Sequence, residues 1–192
     1  MSGMLLLGTL VACTTTARIT DTYMALDGAG DRKRNSFFTD TKEIHCVVEM
    51  GIGRAGVTVS AYVRQLQAYD FAADKFFEVD RGEAEAENSP SPGEGIQKLD
   101  VTLKPAGPDG SAVDGAPFPP GRFQCEASLD GELQKTSIFN IDFPPCPDVM
   151  ILPGTQCFGF YKNNTVCPRF GASSRDATVC SCSITKGWEC QK

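Results

Sequence analysis

One histidine, one tryptophan and no long apolar run beyond the first dozen residues are what this 192-residue chain has least of. The single imidazole limits catalysis. A nucleophile needs a base beside it, and His45 is followed by Cys46 in a stretch that alternates like a strand. Strand neighbours point to opposite faces, so the two cannot form a dyad, and His45 reads as a surface strand residue. No later segment has the roughly 20 apolar residues of a membrane-spanning helix. Paired C-x2–4-C knuckles, the signature of structural zinc, are absent, and Cys180 and Cys182 lie far from His45. No glycine-rich phosphate loop follows a strand, no stretch shows a helical stripe, and no internal repeat is present. No metal or other cofactor is implied.

Positive charge is scarce as well. Lys and Arg number 18 against 24 Asp and Glu, a net charge of −6, which suits nucleic acid poorly because phosphates are bound by Lys and Arg. The one basic cluster, Arg32-Lys33-Arg34, reads as a solvated turn. Acidic residues gather in Gly82–Gly95, which carries Glu83, Glu85 and Glu87. That stretch has little apolar content and reads as a mobile loop, so it offers no rigid carboxylate pair for glycosidic chemistry. Asp27-Gly28-Ala29-Gly30-Asp31 and Asp109-Gly110 lack the ligand spacing of a calcium loop and read as turns.

What the chain does have is period-two alternation. Ile44, Cys46, Val48 and Met50 share one face; so do Val57, Val59, Ala61 and Val63. The pattern returns at Leu99, Val101 and Leu103, at Phe123, Cys125, Ala127 and Leu129, and at Phe139, Ile141 and Phe143. It marks strands with one buried face. Asp130-Gly131 offers a hairpin turn whose two central residues need positive φ. Ala106–Gly121 is rich in Pro and Gly and reads as a loop. The expected fold is an all-β antiparallel sandwich over residues 18–143, closed by Pro144-Pro145, with a small disulfide-rich module over residues 146–192.

The cysteines number nine. Cys46 and Cys125 fall on the apolar faces of their strands, where a bridge would join an early strand to the penultimate one. Six more, Cys146, Cys157, Cys167, Cys180, Cys182 and Cys190, crowd the C-terminal 47 residues. Such density is expected where a segment is too short for a sufficient apolar core. Six cysteines allow fifteen connectivities, of which a Cys180–Cys182 bridge is the least expected element.

The ninth cysteine ends a short apolar run, and Leu10-Val11-Ala12-Cys13 resembles a bacterial lipobox. The resemblance implies a signal peptide over residues 1–12, cleavage before Cys13, a lipid on Cys13, and a short tether over residues 13–17. Ordinary secretory cleavage wants a small residue where Leu10 stands. The run carries no Lys or Arg before Thr14, a departure from the usual charged start. With Cys13 lipidated, eight cysteines remain for four disulfides.

The long domain resembles the immunoglobulin-like sandwich through Cys46, Phe123-Gln124-Cys125 and the Asp130-Gly131 hairpin. Phe123 replaces that family's corner tyrosine. The core tryptophan is missing, with Tyr62 its nearest substitute, since Trp188 lies outside the domain. The C-terminal cysteines faintly resemble an EGF-like module, with different loop lengths. Phe158, Phe160, Tyr161 and Phe170 crowd this module and form a possible contact patch unless they pack on the sandwich. The expected function is non-catalytic: a lipid-anchored protein of the cell envelope or surface, on the non-cytoplasmic side. Its binding, adhesive or structural role would involve the membrane and an envelope or surface protein. The alternative is an envelope ligand carrier or metal-binding lipoprotein.

Overall fold

The computed structural model describes residues 17–51, 57–88, 97–106, 111–147, 150–169 and 179–191, and every structural statement below refers to them. In chain order the strands are β1 (Ile19–Ala25), β2 (Ser36–Phe38), β3 (Ile44–Met50), β4 (Val59–Asp70), β5 (Lys75–Asn88) and β6 (Gln97–Leu103). They continue with β7 (Gly121–Leu129), β8 (Glu132–Asp142), β9 (Val166–Pro168), β10 (Val179–Ser183) and β11 (Gly187–Gln191). The chain is all-β, with no helix among the described residues. Three sheets form, ordered β1-β3-β6, β2-β8-β7-β4-β5 and β11-β10-β9.

The first two sheets face each other across one core. The alternation of β3, β4, β6 and β7 aims Ile44, Val48, Val63, Val101 and Ala127 inward, and these join a single buried cluster. Aromatic rings fill its centre. Phe123 stacks on Phe139 at 5.2 Å, and Phe37 meets Phe139 edge-on at 5.8 Å, the offset and edge geometries that ring quadrupoles favour. Cys46 and Cys125 bridge the sheets, with Cα atoms 6.3 Å apart and 79 residues between them. In the chain-entropy model such a closure stabilises by about 4–5 kcal/mol. Tyr62 does not take the place of a core tryptophan. It is half-buried on the other face of β4 from Val63, with its hydroxyl over Gly82.

Two local features set the strand ends. Asp130 and Gly131 both have positive φ, 50° and 83°, the conformation a two-residue hairpin requires. Asp130 also ties the turn down, its Oδ1 accepting from the Thr58 amide at 2.8 Å. In β4 the register shifts between Gln65 and Gln67 against both neighbouring strands, which makes Leu66 a bulge. A side chain at Gly121 would overlap the Gln67 carbonyl oxygen, so only glycine lets β7 approach there.

The acidic stretch expected to be a loop is instead strand through Asn88. Ser60 pairs with Glu87, Tyr62 with Glu85, and Val63 with Ala84. Small Ala84 and Ala86 pack against the core while Glu85 and Glu87 face solvent. Acidic side chains along this edge strand oppose pairing with another sheet. Residues 89–96 lie outside the described residues.

The C-terminal module is built around sulfur. Cys146–Cys167, Cys157–Cys182 and Cys180–Cys190 are its disulfides. Cys180 and Cys190 are register partners on β10 and β11, with Cα atoms only 4.0 Å apart. Buried Ile151, Trp188 and four cysteines form its core. Gly187 has φ 70°, and a side chain there would strike the Thr155 carbonyl. Four disulfides in one chain mark an oxidising, extracytoplasmic setting. Cys13 lies outside the described residues.

Candidate binding site

Where β5 and β6 end their two sheets, the sandwich holds a cavity of about 740 Å³. Leu103, Phe118, Phe123 and Ile141 supply apolar wall from the core, Phe71 from the β4–β5 turn, and Gly159 from the C-terminal module. The loop after β6 closes one side with Pro117, Pro119 and Pro120. It is held by the Phe118 amide on the Thr39 carbonyl (2.8 Å) and the Val113 amide on Pro105 (2.9 Å). Among the described residues, the charged side chains in the wall are those of Arg81 and Lys104. Lys104 also reaches Glu43 at 3.2 Å.

Beside this cavity stands Gln65, fully buried on the inward face of β4. Its register partners are Arg81 on β5 and Phe123 on β7, and both line the cavity. Arg81 Nη2 donates to Gln65 Oε1 at 2.6 Å. Gln65 Nε2 packs against Gly121 and has no hydrogen-bond partner among the described residues. The sequence reading passed over Gln65. Its signal was the register itself, since Val59, Ala61 and Val63 lead inward to position 65 two residues at a time.

The residues expected as a contact patch do not form one surface. Phe158 packs on Phe71 at 4.8 Å, joining a cluster in which Tyr69 meets Phe71, Phe76 and Phe143 at 5.0–5.1 Å. Tyr161 turns the other way, onto Trp188 at 5.2 Å in the module core. Burial pushes its phenol pKa upward, and Asp40 adds to the shift. Phe160 is half-buried, and its carbonyl accepts from Thr39 Oγ1 at 2.7 Å. Phe170 lies outside the described residues. Lys162 spans the junction, over the Tyr69 and Phe143 rings and 3.5 Å from Asp74. These aromatics fasten the module to the sandwich.

His45 is not a surface residue. It does leave β3 on the face opposite Cys46, but it is 7% exposed, because the loop after β1 folds over that face. Gly28 is the reason the loop fits, as a Cβ there would lie 2.7 Å from Asp100 Oδ2 and 3.6 Å from His45 Nδ1. Asp100 Oδ2 lies 3.0 Å from Nδ1, and Glu43 Oε2 lies 3.6 Å from Nε2. Thr102 Oγ1 donates to Asp100 and sits 3.3 Å from the same Nδ1. A hydroxyl nucleophile and the carboxylate orienting its base belong on opposite ring nitrogens. Here they share one, so the cluster holds the ring in place without presenting it as a base.

The same loop contains Asp27, whose Oδ1 accepts the Asp31 amide and whose Oδ2 pairs with Arg32 Nε at 2.8 Å. The bond from Arg32 holds the Asp27 carboxyl below the usual carboxylate range. Among the described residues no three His, Cys, Asp or Glu side chains gather to hold a metal ion. Asp109-Gly110 lies outside them.

No family model matches the chain, and no curated protein does. Among solved structures, it is similar to Pseudomonas fluorescens alkylpurine DNA glycosylase AlkC bound to DNA containing an abasic site analog. The TM-score is 0.37 and the identity 9%, over 66% of this chain and 30% of that one. The chain therefore spans less than a third of the glycosylase's length, and a likeness of this size transfers neither fold nor activity.

Proposed function

We propose that this chain is a lipid-anchored, exported, non-catalytic binding protein of the cell envelope, with an immunoglobulin-like sandwich as its main body. The carrying observation is the cysteine pairing. Eight cysteines close four disulfides within the chain, and the ninth is Cys13, at the end of Leu10-Val11-Ala12-Cys13. An odd cysteine in an oxidising compartment needs another fate, and acylation provides one. The immunoglobulin-like reading draws on two facing sheets bridged from β3 to β7, the penultimate strand of the sandwich.

Intact mass of the protein from its native membrane, beside a Cys13→Ser variant, tests this. The expected wild-type chain begins at Cys13, carries acyl chains and gains about 8 Da on reduction, two hydrogens for each disulfide. The variant should appear unacylated in the soluble fraction. A wild-type chain beginning at Met1 without acyl groups would overturn the anchor. The second reading, a carrier of a small molecule, is favoured by the cavity, whose size falls within the range of about 300–1,000 Å³ typical of ligand sites.

A further inference from the structure

We propose that the Cys180–Cys190 bridge is a thiol–disulfide exchange site, opened by a dithiol reductant while the other three disulfides stay closed. This goes beyond the binding role and does not rest on the lipid anchor, so an unacylated chain would leave it standing. Three observations converge. The first is access. Exchange begins when a thiolate attacks one sulfur of the bond, so one sulfur must be within reach. Cys46, Cys125, Cys157, Cys167, Cys180 and Cys182 are each at most 1% exposed, whereas Cys146 and Cys190 are only partly buried. The Cys46–Cys125 and Cys157–Cys182 bonds are thus shielded at both ends. Cys190 lies on β11, the edge strand of its sheet.

The second is the backbone, which separates Cys180–Cys190 from Cys146–Cys167. Cys180 and Cys190 stand directly opposite each other in an antiparallel ladder that also pairs Val179 with Gln191 and Cys182 with Trp188. That ladder holds their Cα atoms 4.0 Å apart, against 5.4 Å for Cys146 and Cys167. Disulfides favour about 5.5–6 Å, and one held outside about 4.4–6.8 Å is more easily reduced. The third is what remains when the bond opens. It closes 10 residues, the fewest of the four, so in the chain-entropy model it holds the fold least. The ladder still joins β10 to β11, Cys157–Cys182 still ties β10 to the module, and Trp188 still meets Tyr161. In the exchange, a thiolate of the reductant bonds to Cys190 Sγ, and Cys180 Sγ leaves with the electron pair of the broken bond and takes up a proton. The reductant's second thiolate then attacks the mixed disulfide, and Cys190 leaves as a thiolate and is protonated in turn. Two electrons and two protons pass to the chain, and the reductant ends as a disulfide.

Graded dithiothreitol on the full chain carrying Cys13→Ser, in native buffer, tests the assignment. Free thiols are trapped with N-ethylmaleimide in denaturant and located by peptide mapping. Cys180 and Cys190 should be labelled together, at a reductant concentration at least about tenfold below that which opens Cys146–Cys167, a ratio that follows from a modest difference in reduction potential. At that concentration the emission wavelength of Trp188, the chain's one tryptophan, should be unchanged. Cys180→Ser with Cys190→Ser should fold and leave the remaining bridges at their wild-type midpoints; if it fails to fold, the labelling of the native chain decides alone. Opening of Cys146–Cys167 first would overturn the proposal. So would all four bridges opening at one concentration, or a red shift of Trp188 as Cys180 and Cys190 are labelled, since the bond would then be part of what holds the module folded.

Discussion

The sandwich and the C-terminal module reach a single structure by different means. In the sandwich, nineteen buried side chains among the described residues, from seven strands and from Phe118 in the loop after β6, form one cluster, and a single disulfide crosses it. In the module six residues are buried, four of them cysteines, and three disulfides staple three short strands. Area explains the contrast. Apolar burial stabilises by about 25 cal/mol per Å², and a segment this short removes too little area from water to offset its chain entropy. Covalent closure lowers that entropy in the unfolded chain instead. Each module bridge closes 10–25 residues, worth about 2.5–3.5 kcal/mol in the same model.

The sharpest way to break this contrast is to remove one bridge from the module. Cys157→Ser with Cys182→Ser deletes two of its six buried residues and a 25-residue closure together. The module should lose its fold outright while the sandwich keeps its own. Limited proteolysis followed by mass spectrometry should then cut between residues 144 and 191 and leave residues 18–143 intact. Cleavage throughout the chain would mean that the Phe71–Phe158 junction makes the two parts one cooperative unit.

The sandwich should fail by the opposite route, through its apolar centre. Phe139 is fully buried between Phe37 and Phe123, and Phe139→Ala should cost about 3–5 kcal/mol. A domain of this kind is stable by about 5–15 kcal/mol in all, so the variant should still fold, with its denaturant midpoint well below that of the wild type. The module's disulfides should leave that loss uncompensated. A cost under about 1 kcal/mol would show that the rings do not bear the core.

How far the sequence reached follows the same division. β3, β6 and β7 were legible because each alternates large apolar with polar residues, and the Asp130-Gly131 turn because few residue pairs accept two positive φ angles. β5 was hidden, since Ala84 and Ala86 are too small to register as a buried stripe among acidic neighbours. His45 was misplaced because what buries it, the loop at Gly28, lies 17 residues earlier and meets it only in three dimensions. The module's pairing could not be read at all. Which sulfurs meet depends on register, as with Cys180 and Cys190 across β10 and β11, and short strands leave no alternation from which to infer it. Gln65 was visible as a polar residue in an inward register, but the cavity beside it is made by loops that carry no periodicity.

The smallest expected effect separates the two regions by acid. Asp27 sits on the sandwich's covering loop, and Arg32 holds its carboxyl below the ordinary range. A carboxyl whose pKa is lowered on folding contributes stability above its unfolded value of about 4, and loses that contribution as pH falls through its folded value. Wild type should therefore lose its margin over Asp27→Asn as pH drops below about 4. The pair is exposed, so the margin should be modest and should shrink further in salt. Thermal midpoints of the two proteins from pH 7 to pH 2 give the difference directly, and amide exchange shows where it acts. Protection should fall first at Gly30 and Asp31, whose amides bond to Asp27, while β10 and β11 stay protected, because their backbone ladder and the Cys180–Cys190 disulfide hold them. A midpoint difference between the variants that does not change with pH would mean the loop is fixed by its backbone and by Gly28 against Asp100, with the Asp27–Arg32 pair only following it.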